Sequence, residues 1–150
     1  MKAVLKTLIQ INPKVGVSPI KLFLMRGLYF ITFVGLAFQS WNYLLSQNET
    51  IDYMTGVAFS FWAAYATLMG LGMFLPLRML PLVFLQLAYK AIWVVWVYLP
   101  LKEQNSVTDV TTYFYQICLI AIALDILVIP WRYTYESFVR PLFLQKARNK

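Results

Sequence analysis

Two charged side chains, Lys90 and Asp125, each lie within an apolar run long enough to cross a lipid bilayer. A charge at the centre of a membrane helix costs roughly 2.5 to 3.5 kcal/mol to insert, so each of these groups needs a partner or a polar cavity. Opposite charges on neighbouring helices can pair, and ionisable groups inside a membrane also hold ligands or carry protons. We therefore expect Lys90 and Asp125 to form the polar centre of the protein.

Helical spacing places further polar and aromatic side chains beside Lys90. Gln86, Lys90 and Trp93 share one helix face at i, i+4 and i+7, and Tyr89 flanks that face. This spacing predicts a polar groove with aromatic walls. Arg26, in the first apolar run, either approaches Asp125 from the cytoplasmic side or extends to the lipid headgroups without a partner. The candidate ligand-binding or polar-core residues are therefore Arg26, Gln86, Tyr89, Lys90, Trp93 and Asp125.

The residue types that are missing exclude several chemistries. The chain has no histidine and a single cysteine, Cys118. A haem or metal site that uses histidine is therefore excluded, and so is an intramolecular disulfide or CxxC redox pair. No glycine-rich phosphate loop and no serine nucleophile motif occurs. From the residues alone we expect no catalytic set, no metal and no cofactor.

The composition is typical of an integral membrane protein. Of 150 residues, 61% are hydrophobic and only 13% are charged, whereas a soluble domain has about 25% charged residues. Four runs reach the length of about 20 residues that a membrane helix needs, near 22–43, 53–75, 79–99 and 111–131. Their short connections make consecutive helices antiparallel neighbours. We predict an all-α membrane protein in which residues 1–150 form a single domain, an antiparallel four-helix transmembrane bundle.

The distribution of basic residues predicts the orientation of the bundle. One side carries Lys2, Lys6, Lys14, Lys21, Arg78, Arg132, Arg140, Lys146, Arg148 and Lys150. The other side carries Glu49, Asp52, Glu103 and Asp109, with Lys102 as its only base. Because cytoplasmic loops are rich in Lys and Arg, both termini are predicted to be cytoplasmic. At 1.5 Å per residue, Lys90 then lies about 16 Å into its span, and Asp125 about 10 Å from the cytoplasmic end of its own.

The two ends of the chain are predicted to lie along the cytoplasmic membrane surface. Residues 1–20 include an amphipathic stretch over 1–11 that is typical of an interfacial helix and not of a signal peptide. Residues 132–150 form a basic tail, in which 133–144 predicts a second interfacial helix. We expect these segments to contact lipid headgroups and no nucleic acid. A docking surface for a partner subunit is the alternative.

Several short segments resemble blocks that recur in a group of small bacterial four-span membrane proteins without an assigned function. These segments are Leu77-Arg78-Met79-Leu80-Pro81-Leu82, Tyr89-Lys90-Ala91-Ile92-Trp93 and Ile129-Pro130-Trp131-Arg132-Tyr133. The layout is similar to that of the DoxX-like family, and Arg26-Gly27-Leu28-Tyr29-Phe30 resembles the opening stretch of that family. The resemblance covers most of 22–133. It implies a multi-pass protein of the bacterial inner membrane that serves as an accessory subunit of quinone-linked oxidoreductase complexes.

Three functions are compatible with these observations. The first is a non-enzymatic integral inner-membrane protein, either an accessory or assembly subunit or a binder of a small amphipathic ligand beside Lys90. The second is a quinone-interacting subunit in which Lys90 and Tyr89 hydrogen-bond a quinone carbonyl. The third is a small proton-coupled transporter with Asp125 as the proton carrier. The expected partners are the lipid bilayer and either a partner subunit or further copies of the chain. A purely structural Lys90–Asp125 pair also stays open.

Overall fold

The described part of the chain, residues 16–46, 50–141 and 143 of a computed structural model, contains four long helices. These are α1 (Pro19–Ser46), α2 (Tyr53–Gly72), α3 (Leu80–Glu103) and α4 (Asp109–Val128). Each is long and apolar enough to cross a membrane, so the helices fit a multi-pass integral membrane protein.

A short helix, α5 (Trp131–Thr134), follows α4 and continues as a π-helical turn over Tyr135–Val139. Together, α5 and this turn overlap with the first part of the interfacial helix that the sequence predicts over 133–144. The interfacial helix predicted over 1–11 and the end of the basic tail lie outside the described residues.

Hydrogen-bonded caps set the starts of α2 and α4. Asp52 precedes α2, and its Oδ2 accepts hydrogen bonds at 3.1 Å from the backbone N–H and from the hydroxyl of Thr55. Both hydrogen bonds lower the pKa of Asp52 below its usual value, and the bond from the backbone N–H has the larger effect. α4 starts at Asp109, earlier than the predicted 111, because Thr108 and Thr111 cap each other in a capping box.

Two prolines bear on the ends of α4 and α3, while α1 extends beyond the predicted 22–43 at both ends and α2 ends at Gly72, three residues before the predicted 75. α4 ends at Val128 instead of 131, because Pro130 lacks an N–H and restricts Ile129 to an extended ψ of 125°. α3, by contrast, passes through Pro100 and ends at Glu103. The π-helical turn Val94–Tyr98 precedes this proline, and the next N–H, that of Leu99, donates to the Val94 carbonyl. The proline ring therefore enters a helix whose hydrogen bonding has already shifted by one residue.

The helices form two pairs that meet closely at one end only. α1 packs on α2, and α3 packs on α4. Between the pairs, the first part of α1, Pro19–Thr32, packs on α4, and α2 packs on α3. In the described residues, the second part of α1 from Phe33 onward packs against α2 alone. The two pairs therefore diverge toward the end where α1 stops and α4 begins.

The hydrophobic core fills the end where the pairs meet. Its buried members are Met25, Leu28, Tyr29, Tyr65, Met69, Leu80, Val83, Val128 and Ile129. The Tyr29 hydroxyl donates a hydrogen bond to the Pro76 carbonyl at 2.9 Å. Lys21 Nζ donates to the Leu127 carbonyl at 2.7 Å, which places a cation at the C-terminus of α4 where the helix dipole favours it. These two hydrogen bonds connect the first half of α1 to the α2–α3 connection and to the end of α4.

Aromatic pairs hold each helix pair together at the diverging end. Tyr43 of α1 stacks on Phe59 of α2 with ring centroids 3.8 Å apart. Tyr98 of α3 stacks on Tyr115 of α4 at 3.9 Å. Such pairs add about 0.5–1.5 kcal/mol each beyond the burial of their surface. Each pair therefore stays closed while space is left between the two pairs.

A substitution of Gly72 tests how closely α2 packs against α1 at the core end. A Cβ at this position would overlap the ring of Tyr29, which is fully buried. We expect Gly72→Ala to lower the free energy of unfolding by about 1–3 kcal/mol, as overpacking does. The measurement is denaturation in detergent, followed by tryptophan fluorescence.

Gly27→Ala is the matched control for this substitution. The Cβ position of Gly27 has no heavy atom within 4 Å, apart from its two chain neighbours and the adjacent backbone of its own helix. Because alanine has the higher helix propensity, this variant should be as stable as the unaltered protein or slightly more so. Equal stability of the two variants would contradict the close approach of α2 to Tyr29.

Candidate ligand-binding site

Lys90 of α3 and Asp125 of α4 form an ion pair inside the bundle. Lys90 Nζ lies 3.2 Å from Asp125 Oδ2. Asp125 has no exposed surface, and Lys90 is only 6% exposed. Desolvation of two charges offsets much of their attraction, so such a pair is favourable only when its other polar atoms are hydrogen-bonded as well.

Gln86 supplies the second hydrogen bond to the carboxylate and connects it to the other two helices. Its Nε2 donates to Asp125 Oδ1 at 2.8 Å. Because an ionised carboxylate only accepts hydrogen bonds, this contact fixes which atom of the amide faces it. Gln86 Oε1 then accepts from the Tyr65 hydroxyl at 2.7 Å and from Thr32 Oγ1 at 3.1 Å. One side-chain network therefore joins all four long helices.

A cavity of about 610 Å³ lies beside this network, between the two helix pairs. Gln86 and Lys90 line one end of it, and Val110 and Thr111 at the start of α4 line the other. Much of its wall is aromatic, formed by Trp62, Tyr89, Trp93, Tyr113 and Phe114. Small-molecule sites typically have about 300–1,000 Å³, apolar walls and a few converging polar groups. The cavity has these three properties.

Irregular helical turns border the cavity on two helices. The π-helical turn Phe33–Ala37 of α1 contains Gly35 and Leu36, which both line the cavity. The π-helical turn of α3 begins directly after Trp93, another lining residue. Such turns within α-helices occur frequently at functional sites. The turn of α1 is an indication of function that is separate from the buried charges, whereas the turn of α3 also accommodates Pro100.

The structure brings five of the six candidate residues together. Gln86, Tyr89, Lys90 and Trp93 line the cavity, and Asp125 lies behind Lys90 without lining it. Lys90 Nζ is also 6.0 Å from the ring centroid of Tyr89, the outer limit of a cation–π contact. Arg26 lies apart on the exposed side of α1, and no ion pair or hydrogen bond of its side chain occurs within the described residues.

Tyr65 and Thr32 are the network members that sequence analysis missed. Each is a hydroxyl-bearing residue in an apolar run, and a buried tyrosine hydroxyl usually has a hydrogen-bond partner. That signal predicts that a partner exists, but it does not say which one. The amide of Gln86 was recognised as a neighbour of Lys90, but its link to two further helices depends on the packing of the bundle.

Comparison with known proteins adds no relative, since no protein family, curated protein or solved structure matches the chain significantly.

Paired substitutions test whether Lys90 and Asp125 stabilise each other. Lys90→Met and Asp125→Asn each leave one buried charge without its partner, which typically costs about 3–5 kcal/mol. The double variant has neither charge, and the introduced amide oxygen can still accept from Gln86. We expect the double variant to be more stable than either single variant in detergent denaturation. Additive losses would contradict the pairing.

The exposed pair Arg132–Glu136 provides a matched control. Its Nε–Oε1 distance is 3.0 Å, but the two side chains are 75% and 47% exposed. The corresponding cycle with Arg132→Met and Glu136→Gln should show a coupling of only about 0–1 kcal/mol. The difference between the two cycles isolates the effect of burial.

Proposed function

We propose that the protein is a non-enzymatic integral membrane protein that binds a small amphipathic molecule between its two helix pairs. The observation that carries this proposal is the cavity with Lys90 and Gln86 at one end and aromatic side chains along its walls. A network that served only to fix the helix register would need no cavity beside it. A ligand site needs both an apolar space and a few polar groups that converge on it.

The proposal includes an antiparallel arrangement of the four helices. Tyr43 near the end of α1 stacks on Phe59 near the start of α2. Tyr29, in the first half of α1, donates a hydrogen bond to the carbonyl of Pro76, beyond the end of α2. These contacts support opposite directions for α1 and α2, and the short connection between α3 and α4 supports the same relation there.

The proposed orientation places both termini in the cytoplasm. Lys21, Arg78 and Arg132 belong to the core end of the bundle, whereas Asp52, Glu103 and Asp109 belong to the diverging end. The excess of basic residues at the core end supports a cytoplasmic location for it. The cavity would then face the opposite half of the membrane.

The geometry favours ligand binding over proton-coupled transport. Asp125, the candidate proton carrier, has no exposed surface, and both of its oxygens accept hydrogen bonds. The cavity is lined by Lys90 and Gln86 and does not include Asp125.

A quinone is the second candidate for the occupant. The resemblance to DoxX-like proteins supports an accessory subunit of the bacterial inner membrane, and the cavity offers Lys90 as a donor to a quinone carbonyl. Tyr89 and Trp93 offer rings on which a quinone could stack.

Filling the cavity tests the proposed binding. β-Acetylnaphthalene is a suitable probe, and equilibrium dialysis against phosphatidylcholine nanodiscs with and without the protein measures its binding. Gly35 lines the cavity and has open space at its Cβ position. We expect saturable binding to the unaltered protein, and at least about tenfold weaker binding to Gly35→Leu, or 1.4 kcal/mol.

Gly27→Leu is the control for Gly35→Leu. Gly27 lies on the same helix and also has open space at its Cβ position, but it does not line the cavity. This variant should bind the probe like the unaltered protein. Equal binding by all three proteins would contradict a site in the cavity. Duroquinone as competitor tests the second candidate, which fails if duroquinone does not displace the probe.

Cysteine labelling tests the proposed orientation. On a Cys118→Ser background, Ser106→Cys reports on the α3–α4 connection and Ser137→Cys on the turn after α5, and both positions are exposed. In intact bacterial cells, a membrane-impermeant maleimide should label only the first variant. After permeabilisation it should label both. Labelling of Ser137→Cys alone in intact cells would reverse the proposed orientation.

A further inference from the structure

The hydrogen-bond network uses the strong acceptors at the polar end of the cavity. Asp125 Oδ1 accepts from Gln86, and Oδ2 accepts from Lys90. Gln86 Oε1 accepts from both Tyr65 and Thr32, which occupies its two lone pairs. A ligand that enters the cavity therefore meets no free carboxylate or amide oxygen in this network.

Donor groups remain at the same end. Lys90 has three N–H groups, and within the described residues it donates only one hydrogen bond, to Asp125. The amide nitrogen of Gln86 has two N–H groups, and its one hydrogen bond there also goes to Asp125. Both side chains line the cavity. The hydroxyls of Thr32 and Tyr89 and the amide of Gln39 also line the cavity, and each can donate as well as accept, so they do not reverse this excess of donors.

The geometry points to a cavity that selects molecules by an oxygen acceptor at their buried end: a planar apolar ligand that ends in a carbonyl or carboxylate oxygen and carries no hydrogen-bond donor there. This inference rests on the proposed binding function and specifies its ligand class. Lys90 donates to the oxygen, and the rings of Trp62, Tyr89 and Trp93 contact the planar part. A ligand ammonium at the same place would lie beside the Lys90 ammonium and would find only neutral hydroxyls, such as those of Thr32 and Tyr89, as acceptors.

Four naphthalene probes of nearly equal shape separate the contributions of a hydrogen-bond acceptor, a hydrogen-bond donor and a charge to binding. Acetylnaphthalene is a neutral acceptor, naphthoate an anionic acceptor, ethylnaphthalene has neither donor nor acceptor, and aminomethylnaphthalene is a cationic donor. Each β isomer is dialysed against nanodiscs with and without the protein, so that partition into lipid is subtracted. We expect acetylnaphthalene to bind at least about tenfold more tightly than ethylnaphthalene, with aminomethylnaphthalene the weakest.

Substitution of Lys90 identifies the donor. In Lys90→Met, the preference for acetylnaphthalene over ethylnaphthalene should fall to within about twofold, while ethylnaphthalene still binds. The double variant with Asp125→Asn has no unpaired buried charge and provides the same comparison should the single variant not fold. Gln86 is unaltered in both variants.

The outcomes distinguish this inference from the function on which it rests. Equal binding of acetylnaphthalene and ethylnaphthalene to the unaltered protein would overturn the selectivity, while ligand binding itself would stand. Absence of binding above the lipid background for all four probes would overturn both. Tighter binding of naphthoate than of acetylnaphthalene would support selection for an oxygen acceptor and indicate that the ligand carries a carboxylate. The reverse order would also support the selection and indicate a neutral carbonyl compound.

Discussion

The structure depends on one constraint, which is that the carboxylate of Asp125 has no contact with solvent and must be satisfied within the bundle. Lys90 and Gln86 supply its partners, and the far end of the Gln86 amide then requires Tyr65 and Thr32. Removing Lys90, Gln86 or Asp125 leaves a buried polar atom unpaired. In lipid, apolar side chains alone give little preference for one helix register, because the surrounding tails are equally apolar. A network that joins all four helices is therefore suited to favour one register over others.

The network also separates two unlike halves of the bundle. On one side of it, Met25, Tyr29 and Leu80 belong to a core to which all four helices contribute. On the other side each helix pair is closed by its own aromatic contacts, such as Tyr43 with Phe59, and the cavity lies between the pairs. Divergence of the pairs is possible because the polar groups are already satisfied at the level of the network. Beyond it, the surfaces between the pairs are mainly apolar and aromatic, and lipid or a ligand can cover them. Ser40 is an exception among the described residues, because its hydroxyl is buried there without a hydrogen-bond partner.

The sequence predicted the elements of this fold better than their arrangement. Hydropathy located the four spans, and the charges of Lys90 and Asp125 identified the polar centre, because a charge in an apolar run is rare and costly. The groove residues Gln86, Tyr89 and Trp93 followed from helical spacing. The divergence of the pairs could not be predicted, because lipid-facing and cavity-facing surfaces are both apolar and give the same hydropathy. Tyr65 could not be identified either, because the hydrogen-bond partner of its hydroxyl lies on another helix and depends on how the helices pack.

A structural role and a binding role of the buried pair are not alternatives in this geometry. A role in register would use the oxygens of Asp125 and Gln86, each of which is hydrogen-bonded, whereas binding would use donors of Lys90 that the network does not need. Asp125 offsets the charge of Lys90, which lets an ammonium group remain beside an apolar cavity without a ligand. A ligand oxygen would then meet a donor already held in place, so little side-chain entropy is lost on binding. The same ion pair can thus hold the helices together and keep a hydrogen-bond donor oriented toward the cavity.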